Sequence, residues 1–207
     1  MNYLIFAYLL ALVLPLFMRS WRASVAGLCL QALAMSAMIW LNFQHFSMSA
    51  LLAFFDMALL RTLVAPSLLT FSAQVREDSD AFDLIAANLL IWSVALILLV
   101  LGFWFSNSLA GDNPGVTMHV GVACCGVLMA LLILANQRSP LGQAIAILTL
   151  ENAVALFELR SRHHVAVPVQ IGLSISYFIT IVIMTHLLRR MGAYDETTNH
   201  PADTAIL

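Results

Sequence analysis

The polar side chains that could do chemistry in this chain are Glu151, Arg61, Asp56, Gln31 and Ser176. Each falls inside a run of apolar residues. Glu151 lies near the middle of Pro140–Leu159, Arg61 at the centre of Ser49–Phe71, Gln31 near the centre of Ala23–Phe43 and Ser176 near that of Val167–Leu188. A charge at the centre of a spanning helix costs about 2.5–3.5 kcal/mol on insertion scales, so an acid there marks an ion or proton path by default. The chemistry expected of Glu151 is the gain and loss of a proton. Arg61 keeps its proton and needs a carboxylate or several carbonyls beside it. Two carboxylates are available within spans: Glu151 from another helix and Asp56 from the same one. On an α-helix, residues five apart stand about 140° from one another, a poor local pair. The expected partner of Arg61 is therefore Glu151. Pro66 removes a backbone donor about one turn beyond Arg61 and frees a carbonyl there.

The remaining polar residues have plainer readings. Asn88 and Ser93 join Gln31 and Ser176 as groups that can hydrogen-bond neighbouring helices. Glu158 stands four residues before Arg162, a spacing that favours an ion pair at the membrane edge. His119, His163 and His164 fall at span ends, and His186 near the end of the last run, where it could relay protons. Cys29, Cys124 and Cys125 form no CxxC and read as small core residues. No GxSxG, GxGxxG, HExxH or phosphate-binding loop occurs. The chain is expected to be non-catalytic, with no cofactor and no metal.

The composition demands a membrane. The 207 residues are 62% hydrophobic and 10% charged, against about 25% charged in soluble domains. There is no basic tract for nucleic acid. Seven apolar runs follow in order: Tyr3–Met18, Ala23–Phe43, Ser49–Phe71, Leu84–Phe105, Met118–Asn136, Pro140–Leu159 and Val167–Leu188. The fold class expected is all-α and polytopic, with about seven transmembrane helices, of which the first is the shortest. Ser139 and Pro140 suit the N-cap and first position of the sixth. The first run has no basic start and is expected to be retained rather than cleaved. Residues 1–105 then hold helices one to four, 106–116 a turn-rich loop, 117–190 a three-helix unit and 191–207 a polar, poorly ordered tail. With seven crossings, Arg19, Arg22, Arg76, Arg138, Arg189 and Arg190 share one side and Arg160 and Arg162 the other. The arginine excess places the C-terminus in the cytoplasm and the N-terminus outside.

The stretch Gln137–Asn152 carries the pattern QRxxxxQxxxxxxLEN, an arginine at the membrane edge followed by a mid-helix glutamate and asparagine. It resembles component E of hydrogenase-4 and formate hydrogenlyase. SWRASVAGLCLQAL (Ser20–Leu33) is similar to that family's serine–aromatic–arginine start with a glutamine eleven residues on. Arg61 five residues before Pro66 is a third point of likeness. The resemblance extends over residues 19–190. The last three helices also resemble the small K-type subunit of respiratory complex I, which carries two intramembrane glutamates in consecutive helices on its proton-conducting axis. Glu151 matches the first. The second falls at Ser176, where the acid is missing, so the two-acid relay does not transfer unaltered. The first three helices could be a parallel copy of the last three, with Gln31 opposite Glu151.

The resemblance implies an accessory, multi-pass subunit of the cytoplasmic (inner) membrane, in a complex related to complex I and group 4 hydrogenases. It would work beside antiporter-like membrane subunits and peripheral redox subunits on the cytoplasmic side. Glu151, Arg61, Gln31, Ser176 and Asp56 would line a proton or cation path. Two other readings stand beside it. One is a subunit of a multi-subunit cation/proton antiporter, which would co-purify with membrane partners only. The other is a scaffold, in which Glu151→Leu would be tolerated.

Overall fold

The computed structural model describes residues 2–17, 21–41, 48–74, 89–110, 114–137, 139–161 and 167–199. These are almost entirely helical: α1 Asn2–Phe17, α2 Trp21–Leu41, α3 Met48–Phe55, a π-helix Asp56–Val64, α4 Ala65–Gln74, α5 Leu89–Ala110, α6 Pro114–Asn136, α7 Pro140–Ser161 and α8 Val167–Asn199. α3, the π-helix and α4 run on as one rod. Six stretches are long and apolar enough to cross a bilayer: Trp21–Leu41, Met48–Ser72, Leu89–Ala110, Pro114–Asn136, Pro140–Leu159 and Val167–Arg190. The apolar part of α1, Tyr3–Leu14, is shorter. At about 1.5 Å rise per residue it falls well below a hydrocarbon core of about 30 Å. It is nonetheless part of the bundle, with Ile5, Tyr8, Ala11 and Leu12 fully buried.

Several boundaries differ from the sequence expectation. The fourth run is described from Leu89, its expected start at Leu84 lying outside the described residues, and it does not stop at Phe105. The stretch expected to open a loop continues as helix to Ala110, because Ser106 satisfies its hydroxyl by donating to the Phe103 carbonyl at 2.8 Å rather than capping a turn. Pro114 then opens α6, four residues earlier than expected, from the position that wastes no amide donor. Residues 191–199, expected to be an ordering-poor tail, prolong α8. Adding a residue to an existing helix needs no new nucleus. The cap of α7 is as expected: the Gly142 amide donates to the Ser139 hydroxyl at 3.1 Å.

α2 and α7 occupy the middle. α2 packs on α1, the rod and α7; α7 packs on α6, α2 and α8. α1 also touches α6, and α4 touches α8, so each member of the first triplet meets its counterpart in the last. Arg189 lies over the Phe71 ring at 5.0 Å, which brings the ends of α8 and α4 to one side of the bundle. The seam between α6 and α7 is close-packed. A Cβ on Gly126 would stand 2.7 Å from the Ala153 Cβ. Gly126→Val should therefore cost about 1–3 kcal/mol by overpacking, read as a lower unfolding midpoint in detergent, while Gly126→Ala paired with Ala153→Gly should recover most of it.

Candidate functional site

Three apolar clusters fill the core, and each central helix contributes to the two larger ones. One contains Ala34, Met35, Met57, Ala155 and Leu156 with Tyr8 of α1. The other contains Val25, Leu28, Ala65, Leu69, Ile145, Leu148 and Tyr177. Between them, on every one of these helices, the chain changes from apolar to polar. Gln31 falls between Leu28 and Ala34, Asp56 and Arg61 between Ala53 and Ala65, and Asn152 between Leu148 and Ala155. The polar groups are therefore a layer at mid-depth, walled off on both sides.

Arg61 is the hub. Its Nε donates to Asp56 Oδ2 at 3.2 Å and its Nη1 donates to Asn152 Oδ1 at 3.1 Å. Asn152 Nδ2 then donates to Gln31 Oε1 at 3.3 Å. The guanidinium carbon stands 3.9 Å from the centroid of the Tyr177 ring, close enough for a cation–π contact of about 2 kcal/mol when dry. Arg61 and Asp56 are 6% and 4% exposed, so the pair is shielded from solvent screening. One side chain thus ties the rod to α7 and α8 directly, and to α2 through Asn152.

The expected partnership of Arg61 with Glu151 is not what forms; the carboxylate that pairs is Asp56. The reason is the backbone. Asp56–Val64 is a π-helix, whose i→i+5 bonding stacks residues five apart on one face. The Ala65 amide donates to the Leu60 carbonyl, and the Thr62 hydroxyl donates to the Met57 carbonyl at 2.7 Å, both five residues back. Asp56 and Arg61 have that same separation. The proline after it, Pro66, cannot donate in the regular α pattern, and the wide turn lies directly before it.

Glu151 is half-buried and sits beside this network rather than in it. Its carboxyl faces the Thr180 hydroxyl of α8 and lies within range of the Arg61 and Asp56 charges. Ser176 is exposed on α8; its carbonyl accepts the Thr180 hydroxyl at 3.0 Å, and its side chain takes no part in the Arg61 cluster. Of the five expected residues, Gln31, Asp56 and Arg61 are brought together, Glu151 stands alongside, and Ser176 is turned outward. Asn152 is the link that residue-by-residue reading passed over, although it adjoins Glu151 in the sequence. Tyr177 and Thr180 were also missed; each is an ordinary membrane residue until its neighbour is known.

Buried polar atoms without a protein partner include Tyr8 Oη, Gln31 Nε2 and Asp56 Oδ1. Tyr8 Oη lies within range of the Arg61 charge. The cluster therefore ends in an open acceptor on Asp56 and open donors on Gln31 and Tyr8, the endings that water satisfies in buried polar sites.

Other expectations resolve plainly. Ser93 is exposed and donates to its own Leu89 carbonyl at 2.9 Å, while Asn88 lies outside the described residues. His119, expected at an interface, is buried, with Nδ1 3.4 Å from the Gly115 carbonyl oxygen. His163, His164 and Arg162, the proposed partner of Glu158, are outside the described residues. His186 is exposed. Cys125 is buried and its thiol donates to the Leu99 carbonyl at 3.4 Å; Cys29 and Cys124 are half-buried free thiols.

Fold and site together define a class: a polytopic α-helical membrane protein with an ion pair and amide chain held at mid-depth. No protein-family model, curated protein or solved structure matches the chain.

Proposed function

We propose that this chain is a non-catalytic membrane subunit that carries part of a proton path, in a complex related to hydrogenase-4 and respiratory complex I. The observation that carries the reading is the buried Arg61–Asp56 pair, extended through Asn152 to Gln31 with Glu151 beside it. Ionisable groups at the membrane midplane are expensive, and a pair of apolar residues would pack as well or better. A chain that keeps five polar groups at one depth is using them.

The roles divide. Glu151, half-buried and next to a hydroxyl, is the group that exchanges protons. Arg61, which stays charged, sets the field in which it does so. Asp56 neutralises Arg61, and Asn152 and Gln31 fix its orientation. Water bridging the open ends at Asp56, Gln31 and Tyr8 would continue the path. The arginine-rich end, where Arg22 and Arg189 are found, would face the cytoplasm, and redox chemistry would belong to partner chains there.

The test is Glu151→Gln in the gently extracted complex. It is expected to keep the same subunits and size while proton uptake into vesicles, driven by the partners' redox reaction and read with a fluorescent amine, falls to background. Glu151→Asp should retain part of it. Normal uptake with Glu151→Gln would remove Glu151 from the path.

A further inference from the structure

Among the described residues, five buried side-chain atoms lack a partner: Tyr8 Oη, Gln31 Nε2, Asp56 Oδ1, Ser24 Oγ and Gln137 Nε2. The first three belong to the mid-depth layer. The other two lie along the α2–α7 seam toward the arginine-rich end, and the layer makes no use of them. None of the five lies beyond the layer toward the opposite end.

α2 and α7 run parallel through this seam. Val25 and Leu28 share a cluster with Leu141, Ala144, Ile145 and Leu148, and Gln31 meets Asn152 further in. Leu188, next to Arg189, joins the same cluster, so Arg22, Arg189 and the start of α7 share one end. Ser24 is fully buried. Other buried hydroxyls, such as those of Ser72, Thr149 and Thr185, donate to a carbonyl of their own helix; that of Ser24 does not. Gln137 is 4% exposed, and its side-chain amide folds back over the first turn of α7. A Cβ on Gly142 would stand 2.7 Å from Gln137 Cδ, so glycine there is what lets the amide lie inward. Gln137 Oε1 accepts the Ser139 hydroxyl at 3.5 Å and its backbone carbonyl accepts the Gln143 amide at 3.3 Å. Its Nε2 is left over.

These atoms form a descending series. Counted back from the Gln31–Asn152 contact, Gly142 is level with Trp21, and Ser24 lies about one turn deeper. Gln31 is seven residues beyond Ser24 on the same face of α2, about 10 Å further in. About three hydrogen-bonded waters span that distance. Leu28 stands between the two on that face and closes the gap when it is dry. Water is the partner that stranded buried polar atoms take.

We infer that the arginine-rich mouth of the α2–α7 seam is a water-binding inlet, in which Gln137 and Ser24 hold the waters that hand protons to the mid-depth layer. The inference rests on the reading of that layer as a proton path and adds the side and the residues of entry. Each transfer puts one proton on a water oxygen and releases another to the next, so no further reactant is needed.

The test uses the full chain in its native membranes, carrying Ser24→Cys with Cys29, Cys124 and Cys125 replaced by alanine. Sealed vesicles of each orientation are treated with the impermeant thiol reagent 2-(trimethylammonium)ethyl methanethiosulfonate, and the modified peptide is counted by mass spectrometry. From the side that carries Arg22 and Arg189, Ser24→Cys is expected to react about tenfold or more faster than Ala130→Cys, which is equally buried on α6 and reacts only on local opening. Gln137→Cys, nearer the mouth, should react faster still, and it is the second site if the Ser24 variant does not accumulate. Rates equal to that of Ala130→Cys, or faster reaction from the opposite side, would overturn the inference. The labelling is expected to be unchanged when Glu151→Gln is added, so the inlet and the proton path can fail independently.

Discussion

Asp56→Leu is expected to destabilise the folded chain by about 3–5 kcal/mol, the cost of leaving one member of a buried ion pair without the other. Arg61 is 6% exposed and points into a layer closed above and below by apolar clusters. It cannot shed its proton to escape. Arg61→Met should be similarly harmful, because Asp56 then keeps a single short-range donor fewer and its Oδ1 is already without one. The double variant Asp56→Leu with Arg61→Met should recover most of the loss, since well-packed apolar pairs often equal or exceed buried ion pairs in stability. Unfolding in mild detergent, followed by helical circular dichroism, measures all three. Equal midpoints for the single variants and the parent would mean that the pair is hydrated. The double variant also separates stability from purpose: folded yet unable to support proton uptake, it would show that the ions are retained for function.

Asn152→Leu comes next in expected size. It removes the acceptor of Arg61 Nη1 and the donor to Gln31 Oε1 together. Each buried polar group stranded in this way costs about 1–3 kcal/mol. Gln31 is already short of one partner at Nε2, so among the described residues it would lose its bond to another helix. Adding Gln31→Leu to Asn152→Leu should return part of the stability, because the amide on α2 is then no longer stranded. Purified single and double variants compared by unfolding midpoint check this. A single variant as stable as the parent would mean that the two amides find water, and that α2 and α7 are held by apolar packing alone.

The helices themselves were legible. The lengths and polarity of the apolar runs place α2, α6, α7 and α8 close to where they fold, and Ser139–Pro140 marks the start of α7 through elementary capping chemistry. The depth of the polar layer was legible too, because Gln31, Arg61 and Glu151 each sit near the middle of a run. Loop boundaries were less so. Serine and asparagine near Ser106 look like turn residues, yet in a helix they can bond their own backbone, and nothing local distinguishes the two uses. The partner of Arg61 was misjudged for one reason: the geometry assumed was that of an α-helix. A π-helix is rare, and Pro66 alone does not announce one.

Composition and periodicity determined that this chain is a helical membrane bundle with charges at mid-depth, because apolar length and isolated ionisable residues are properties a linear string can display. Which charge meets which was decided only by the fold. A wider helical turn brought Asp56 under Arg61, the seam between α2 and α7 set Asn152 against Gln31, and sparse packing of α8 left Glu151 at the edge of the protein. Those pairings depend on backbone pitch and on the rotation of one helix against another, and neither is written in the order of the residues.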